Sequence, residues 1–228
     1  PPGGMPIKMK VMPVQTVGLY RTTCSQGHSI VMLADFQQFE LLFESAMEAF
    51  ADGYFREAVS SFAASLERYY EFAIKTLLLA YKVDKESISD MWKNVSNQSE
   101  RQLGMFVGLY TSINNRPPEV LSNNQTAFRN SVIHKGYFPS PEDALDFGNA
   151  VYKLLNLGLR ELRADYHDAM QSARGFAREA AIAELKDGEV LSTFGMKTTI
   201  SLMVLDEPPP ISEAIIKVAE RLNRQRNG

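Results

Sequence analysis

Between Val59 and Leu77 an apolar or aromatic side chain recurs every three or four positions: Val59, Phe62, Leu66, Tyr69, Ala73 and Leu77. That spacing marks one face of an α-helix. It predicts a helix from Tyr54 to about Tyr81, roughly seven turns long. Ser61, Ser65, Glu67, Arg68 and Glu71 occupy its polar positions. Asp52-Gly53 separates it from a second stripe, Phe36, Phe39, Phe43, Met47 and Phe50, for which Asp35 is the expected cap. Two consecutive amphipathic helices of this kind make the middle of the chain helical.

The helical pattern continues downstream. Residues 84–95 form a short helix around Ile88, Met91 and Trp92, and Leu103, Phe106, Val107 and Tyr110 give the next one, 97–114, its apolar face. Asn114-Asn115-Arg116-Pro117-Pro118 is a break. A helix then runs from Glu119 to His134, or starts nearer Gln125, because Asn123-Asn124-Gln125 is poor helix-forming material. Gly136 suits a left-handed cap at its end. Ser140 caps the next helix, with Glu142 and Asp143 in its first turn, and the pattern persists to Lys186 with Gly175 as a candidate kink.

The two flanks differ from the middle. Lys8–Val14, Val17–Thr22 and Ser29–Leu33 read as short strands. Near the other end, Thr198, Ile200, Leu202 and Val204 alternate with Thr199, Ser201 and Met203, and this late strand is expected to join the N-terminal ones in one small sheet. Pro208-Pro209-Pro210 is a rigid spacer before a last helix, Ile211–Arg224, with a basic tail. The expected fold is mostly α, a helical bundle with a small β appendage formed by the N- and C-terminal segments. The expected divisions are 1–34 for the N-terminal β appendage, 35–186 for the helical domain, and 187–228 for a strand plus helix. Pro1–Gly4 precede Met5 and read as vector-derived, with Met5 the native start.

Composition narrows the function classes. No apolar run reaches the ~20 residues of a membrane span, and no secretory signal is visible, so no membrane partner is expected. The single cysteine, Cys24, rules out a disulfide within the chain and fits a reducing, cytoplasmic setting. Cys24-x3-His28 offers part of a zinc pattern, but there is no second cysteine and only His28, His134 and His167 as histidines. A structural zinc wants four ligands, so the motif reads as a polar turn, with a metal shared across a dimer as the alternative. His167, beside Asp165 and Asp168, reads as a surface residue. No phosphate loop, His-Glu-x-x-His helix or Gly-x-Ser-x-Gly elbow occurs, and no cofactor or resident metal is expected. The formal net charge of −3 argues against a broad electrostatic grip on nucleic acid, though not against a local basic groove built from two protomers.

The chemistry-bearing stretch is Arg129-Asn130-Ser131-Val132-Ile133-His134, followed by Lys135-Gly136-Tyr137. On a helix Asn130 and His134 share a face, while Arg129 starts about 140° from His134 and has a stem long enough to swing toward it. A guanidinium is a permanent phosphate clamp. A histidine moves protons near neutral pH. The pair suits phosphodiester cleavage without a metal.

Arg-x4-His near the end of a late helix, with asparagine after the arginine, resembles the signature of HEPN domains, and the order of helices over residues 36–186 resembles theirs. The resemblance implies an all-helical, usually dimeric, metal-independent endoribonuclease, with Arg129, His134 and Asn130 at its site. It places such a protein among toxins or antiviral defence effectors, with RNA as substrate and an antitoxin or regulatory partner to restrain it. It further implies a polar or acidic residue on an early helix facing the pair, a part open to Glu67 or Glu71. Taken singly, either glutamate reads first as a solvated charge beside Arg68 and Lys75, and Glu71 with Lys75 is an i,i+4 pair. Lys135 and Tyr137 are supporting candidates. In some family members a tyrosine two residues after the histidine accepts a nucleotide from a partner transferase. Tyr137 lies three residues after, so that modification is not carried over; its ring would stack on a base or pack. The alternative function is a non-catalytic HEPN-like module for dimerisation or ligand binding.

Overall fold

The computed structural model describes residues 14, 18–23, 29–187, 189–195, 198–202 and 208–227. Cys24 and His28 lie outside them, as do the expected strand at 8–14 apart from Val14 and the end of the expected late strand, 203–204. Eight helices and a three-stranded sheet are formed among the described residues, a mostly α fold with a small β appendage. The chain divides into two compact units, one of Pro1–Phe36 with Arg174–Met196, the other of Gln37–Ala173 with Lys197–Gly228.

In the smaller unit β1 (Leu19–Thr23) pairs antiparallel with β2 (Ser29–Ala34), and β2 pairs parallel with β3 (Leu191–Phe194). Side chains alternate faces along a strand. Val31 and Leu33 therefore share one face, where they pack with Leu19 and Ala181. Two ion pairs brace the unit: Arg21 donates to both carboxylate oxygens of Glu189, and Arg174 to those of Asp35. The third strand thus comes from 191–194. The described part of the expected late strand, 198–202, forms no strand.

The larger unit is built on α1 (Gln38–Ala51) and α2 (Phe55–Ala80), a hairpin turned at Gly53, whose φ of 82° suits glycine. After them come α3 (Lys85–Val95), α4 (Ser99–Asn114), α5 (Asn123–Lys135) and α6 (Pro141–Asp165). Next is α7 (His167–Ala183), which belongs to the smaller unit from Arg174 on, and then α8 (Ile211–Asn227). The stripe of α2 is the core: Val59, Phe62, Leu66, Tyr69, Ala73 and Leu77 are all buried. Phe43 of α1 packs on Phe62 and Tyr152, with ring centroids 5.0 and 5.6 Å away. Gly148 and Gly158 let α6 lie close along α2, since a Cβ at either would run into the ring of Phe62 or the hydroxyl of Tyr69.

Three local expectations are corrected. The cap of α1 is Gln37, which forms a capping box with Glu40, while Asp35 is engaged by Arg174. The long C-terminal pattern is two helices, parted at Tyr166, and Gly175 lies inside the second. The alternating segment near 200 is drawn onto α1 instead of a sheet: Glu40 accepts from the Leu202 amide (2.7 Å), and Glu44 from both the amide and hydroxyl of Thr199 (2.9 Å each). Glu44 and Glu48 also hold Arg221, and Asp52 holds Arg226, so carboxylates at four-residue steps along α1 fasten residues 199–202 and α8.

Candidate functional site

The helix that carries Arg129 and His134 is sharply bounded at both ends. Ser122 and Gln125 form a capping box at its start, so it begins at Asn123 and not at Glu119. At its end Gly136 adopts φ 72°, and the Tyr137 amide donates to the Ser131 carbonyl at 3.1 Å. Val132 is fully buried, and Phe128 and Ile133 pack partly buried against the same core. That face seats α5 against α2. Phe128 also meets Phe147 of α6, with ring centroids 5.7 Å apart.

Seating that face fixes where the polar residues go. The Arg129 guanidinium, only 18% exposed, is directed to α2, where it forms an ion pair with the Glu67 carboxylate. Its other amino group donates to the Asn130 side-chain oxygen at 3.0 Å. A guanidinium held by two acceptors has a fixed orientation. Glu67 also acts on the adjacent Tyr70: burial raises the phenol's pKa, and the nearby carboxylate charge raises it further, so Tyr70 stays protonated across the physiological range.

Glu71, one turn along α2, is used differently. It accepts from Arg68 (2.6 Å) and Lys75 (2.5 Å). Arg68 continues to Gln102, and the Lys75 ammonium lies 5.3 Å from the centre of the Trp92 ring. Of the two candidate carboxylates, Glu67 is therefore the one placed against Arg129, and Glu71 belongs to a network joining α2 to α3 and α4.

His134 and Lys135 are exposed at the end of α5, and neither has a side-chain hydrogen bond or ion pair among the described residues. No hydrogen bond joins His134 to Arg129: five residues of helix separate them, and Glu67 draws the guanidinium away. Tyr137 is half-exposed, its ring edge-on to Phe128 at 6.3 Å and its hydroxyl 3.5 Å from Asp143. The site as built is a partly buried guanidinium already paired with a carboxylate and, five positions along the same helix, an imidazole open to solvent.

Phe138 is the side chain the sequence reading passes over. It is 79% exposed and directly follows the Gly136–Tyr137 cap. The available signal is an aromatic residue placed between a helix-ending glycine and Pro139. Among the described residues no three His, Cys, Asp or Glu side chains are grouped to hold a metal ion, and no helix is long and apolar enough to cross a membrane. His167 is exposed. No protein-family model, curated protein or solved structure matches the chain.

Proposed function

We propose that the protein is a HEPN-type, metal-independent endoribonuclease that works as a homodimer in the cytoplasm, as a toxin or defence effector. The observation that carries this reading is the pairing of an Arg129 oriented by Glu67 and Asn130 with an exposed His134 on the same capped helix. His134 would take the proton from a ribose 2′-hydroxyl as that oxygen attacks phosphorus, or give one to the departing 5′-oxygen. Arg129 would stabilise the charge gathering on the phosphoryl oxygens. One histidine does one of these tasks at a time. Two motif helices facing each other across a symmetry axis would divide them. The products are then a 2′,3′-cyclic phosphate and a 5′-hydroxyl. An activity of this kind calls for restraint by an antitoxin or regulatory partner.

The test is cleavage of labelled single-stranded RNA in EDTA by wild type, Arg129→Ala and His134→Ala, each checked for dimer by light scattering. Wild type should cut. Arg129→Ala should lose about 10²–10³ in rate, the scale of removing one stabiliser of a developing oxyanion. A folded wild-type dimer that cuts no RNA overturns the reading.

One observation favours a second reading. Arg129 already has a carboxylate partner, as a purely structural residue would. The domain would then be a HEPN-like dimerisation or ligand-binding module, in which the ion pair locks α5 onto α2. Under that reading Arg129→Ala lowers stability, and there is no cleavage to lose.

A further inference from the structure

We infer that Phe138 is a stacking platform for a base of single-stranded RNA next to the Arg129–His134 site. The inference rests on the ribonuclease reading and specifies the substrate's strandedness. Phe138 is held out in solvent by a pinned backbone. Gly136 is fixed in its left-handed cap, and the Tyr137 amide is tied to Ser131. Tyr137 leans its ring on Phe128, Pro139 is buried, and Ser140 caps α6. With both neighbours anchored, the ring is presented at a set place and not tucked into the core. It follows His134 by four residues, a chain length that spans at most about 14 Å.

The surroundings favour a base over a second protein surface. A stable protein interface needs about 800 Å² per partner. Here the exposed aromatic side chains are Phe138 and the half-exposed Tyr137, flanked in sequence by exposed His134, Lys135 and Gly136 on one side and by Glu142 on the other. A base offers a π-face to the ring, while the Lys135 ammonium meets a neighbouring phosphate. In a duplex the bases are stacked on each other and out of reach, so the platform selects unpaired RNA.

The experiment measures binding of a short single-stranded 2′-O-methyl oligonucleotide carrying 2-aminopurine, which has no free 2′-hydroxyl to attack. Wild type should quench the fluorophore. Phe138→Ala should bind about tenfold more weakly, the scale of one lost stacked base, and without quenching. Phe138→Trp should restore both. The gap between wild type and Phe138→Ala should close when the stacked nucleotide is made abasic. Equal binding and quenching by Phe138→Ala overturns the platform; if wild type still cuts unmodified RNA, the ribonuclease reading survives. A Phe138→Ala protein that falls from dimer to monomer in light scattering also overturns it, by assigning the ring to a contact between copies. A wild type that neither binds nor cuts overturns both.

Discussion

Two clusters of charged side chains in the helical unit use the same residue types and end differently. Along α1, Glu40, Glu44, Glu48 and Asp52 each have a donor inside the fold, from the 199–202 backbone, Arg221 or Arg226. Between α2 and α5, Glu67 meets Arg129, but His134 and Lys135 have no side-chain partner among the described residues. A buried carboxylate is costly unless its oxygens are satisfied. The α1 cluster meets that demand completely and so fastens the C-terminal segment. The α5 cluster is completed only on its inner side. Its outer side, His134 and Lys135, is exposed to solvent, and under the proposed function this difference separates the charges that hold the fold from those that would act.

The largest effect is expected at Glu44, which is 5% exposed and accepts from Thr199 and Arg221 together. Glu44→Ala should cost about 2–3 kcal/mol, because the Thr199 amide and hydroxyl lose their acceptor while Arg221 keeps Glu48. The urea midpoint should fall accordingly, with RNA cleavage per folded molecule unchanged. A smaller effect is expected at Glu67, whose pair with Arg129 is only partly buried. Glu67→Gln should lower stability by about 1 kcal/mol or less. It should slow cleavage by no more than about tenfold, the rate equivalent of roughly 1.4 kcal/mol, and leave the order of α2 and α5 intact by circular dichroism. A loss of stability as large as that at Glu44 would make the two clusters alike.

The smallest effect is at the exposed end of α1. The Arg226 hydrogen bond holds the Asp52 carboxyl below its ordinary pKa. A carboxyl whose pKa is lower folded than unfolded binds fewer protons in the folded state. Its contribution is therefore complete above the unfolded pKa and disappears as pH falls through the folded one. Unfolding midpoints of wild type and Asp52→Asn should differ slightly at neutral pH and converge in acid.

How far the sequence could be read depends on what decides each element. The stripe from Val59 to Leu77 is local, and all six residues are in the core. The Ser122–Gln125 box and the Gly136 cap are local too, although the motif helix starts at Asn123. The alternation at 198–202 is real in the sequence, but a tertiary demand overrides it: the carboxylates of Glu40 and Glu44 need donors, and the Thr199 and Leu202 amides supply them. The parting of α6 and α7 at Tyr166 carries no glycine or proline, so periodicity runs through it unmarked. At the site, helical spacing leaves Glu67 and Glu71 equivalent. Only the seating of α5 through Val132 and Phe128 shows that Glu67 is the residue Arg129 reaches. Phe138 could not be weighed from sequence, because its exposure depends on how Tyr137 and Pro139 anchor the turn.

In the proposed chemistry His134 is the group that moves the proton. The deciding measurement is the rate of RNA cleavage in EDTA by wild type and His134→Ala, with the urea unfolding midpoint taken on the same preparations. The account predicts a fall of about 10²–10⁴ in rate, the range for loss of a general acid or base, with the midpoint unchanged because the side chain is exposed and unpaired within the described fold. Undiminished cleavage by a folded His134→Ala dimer would contradict it.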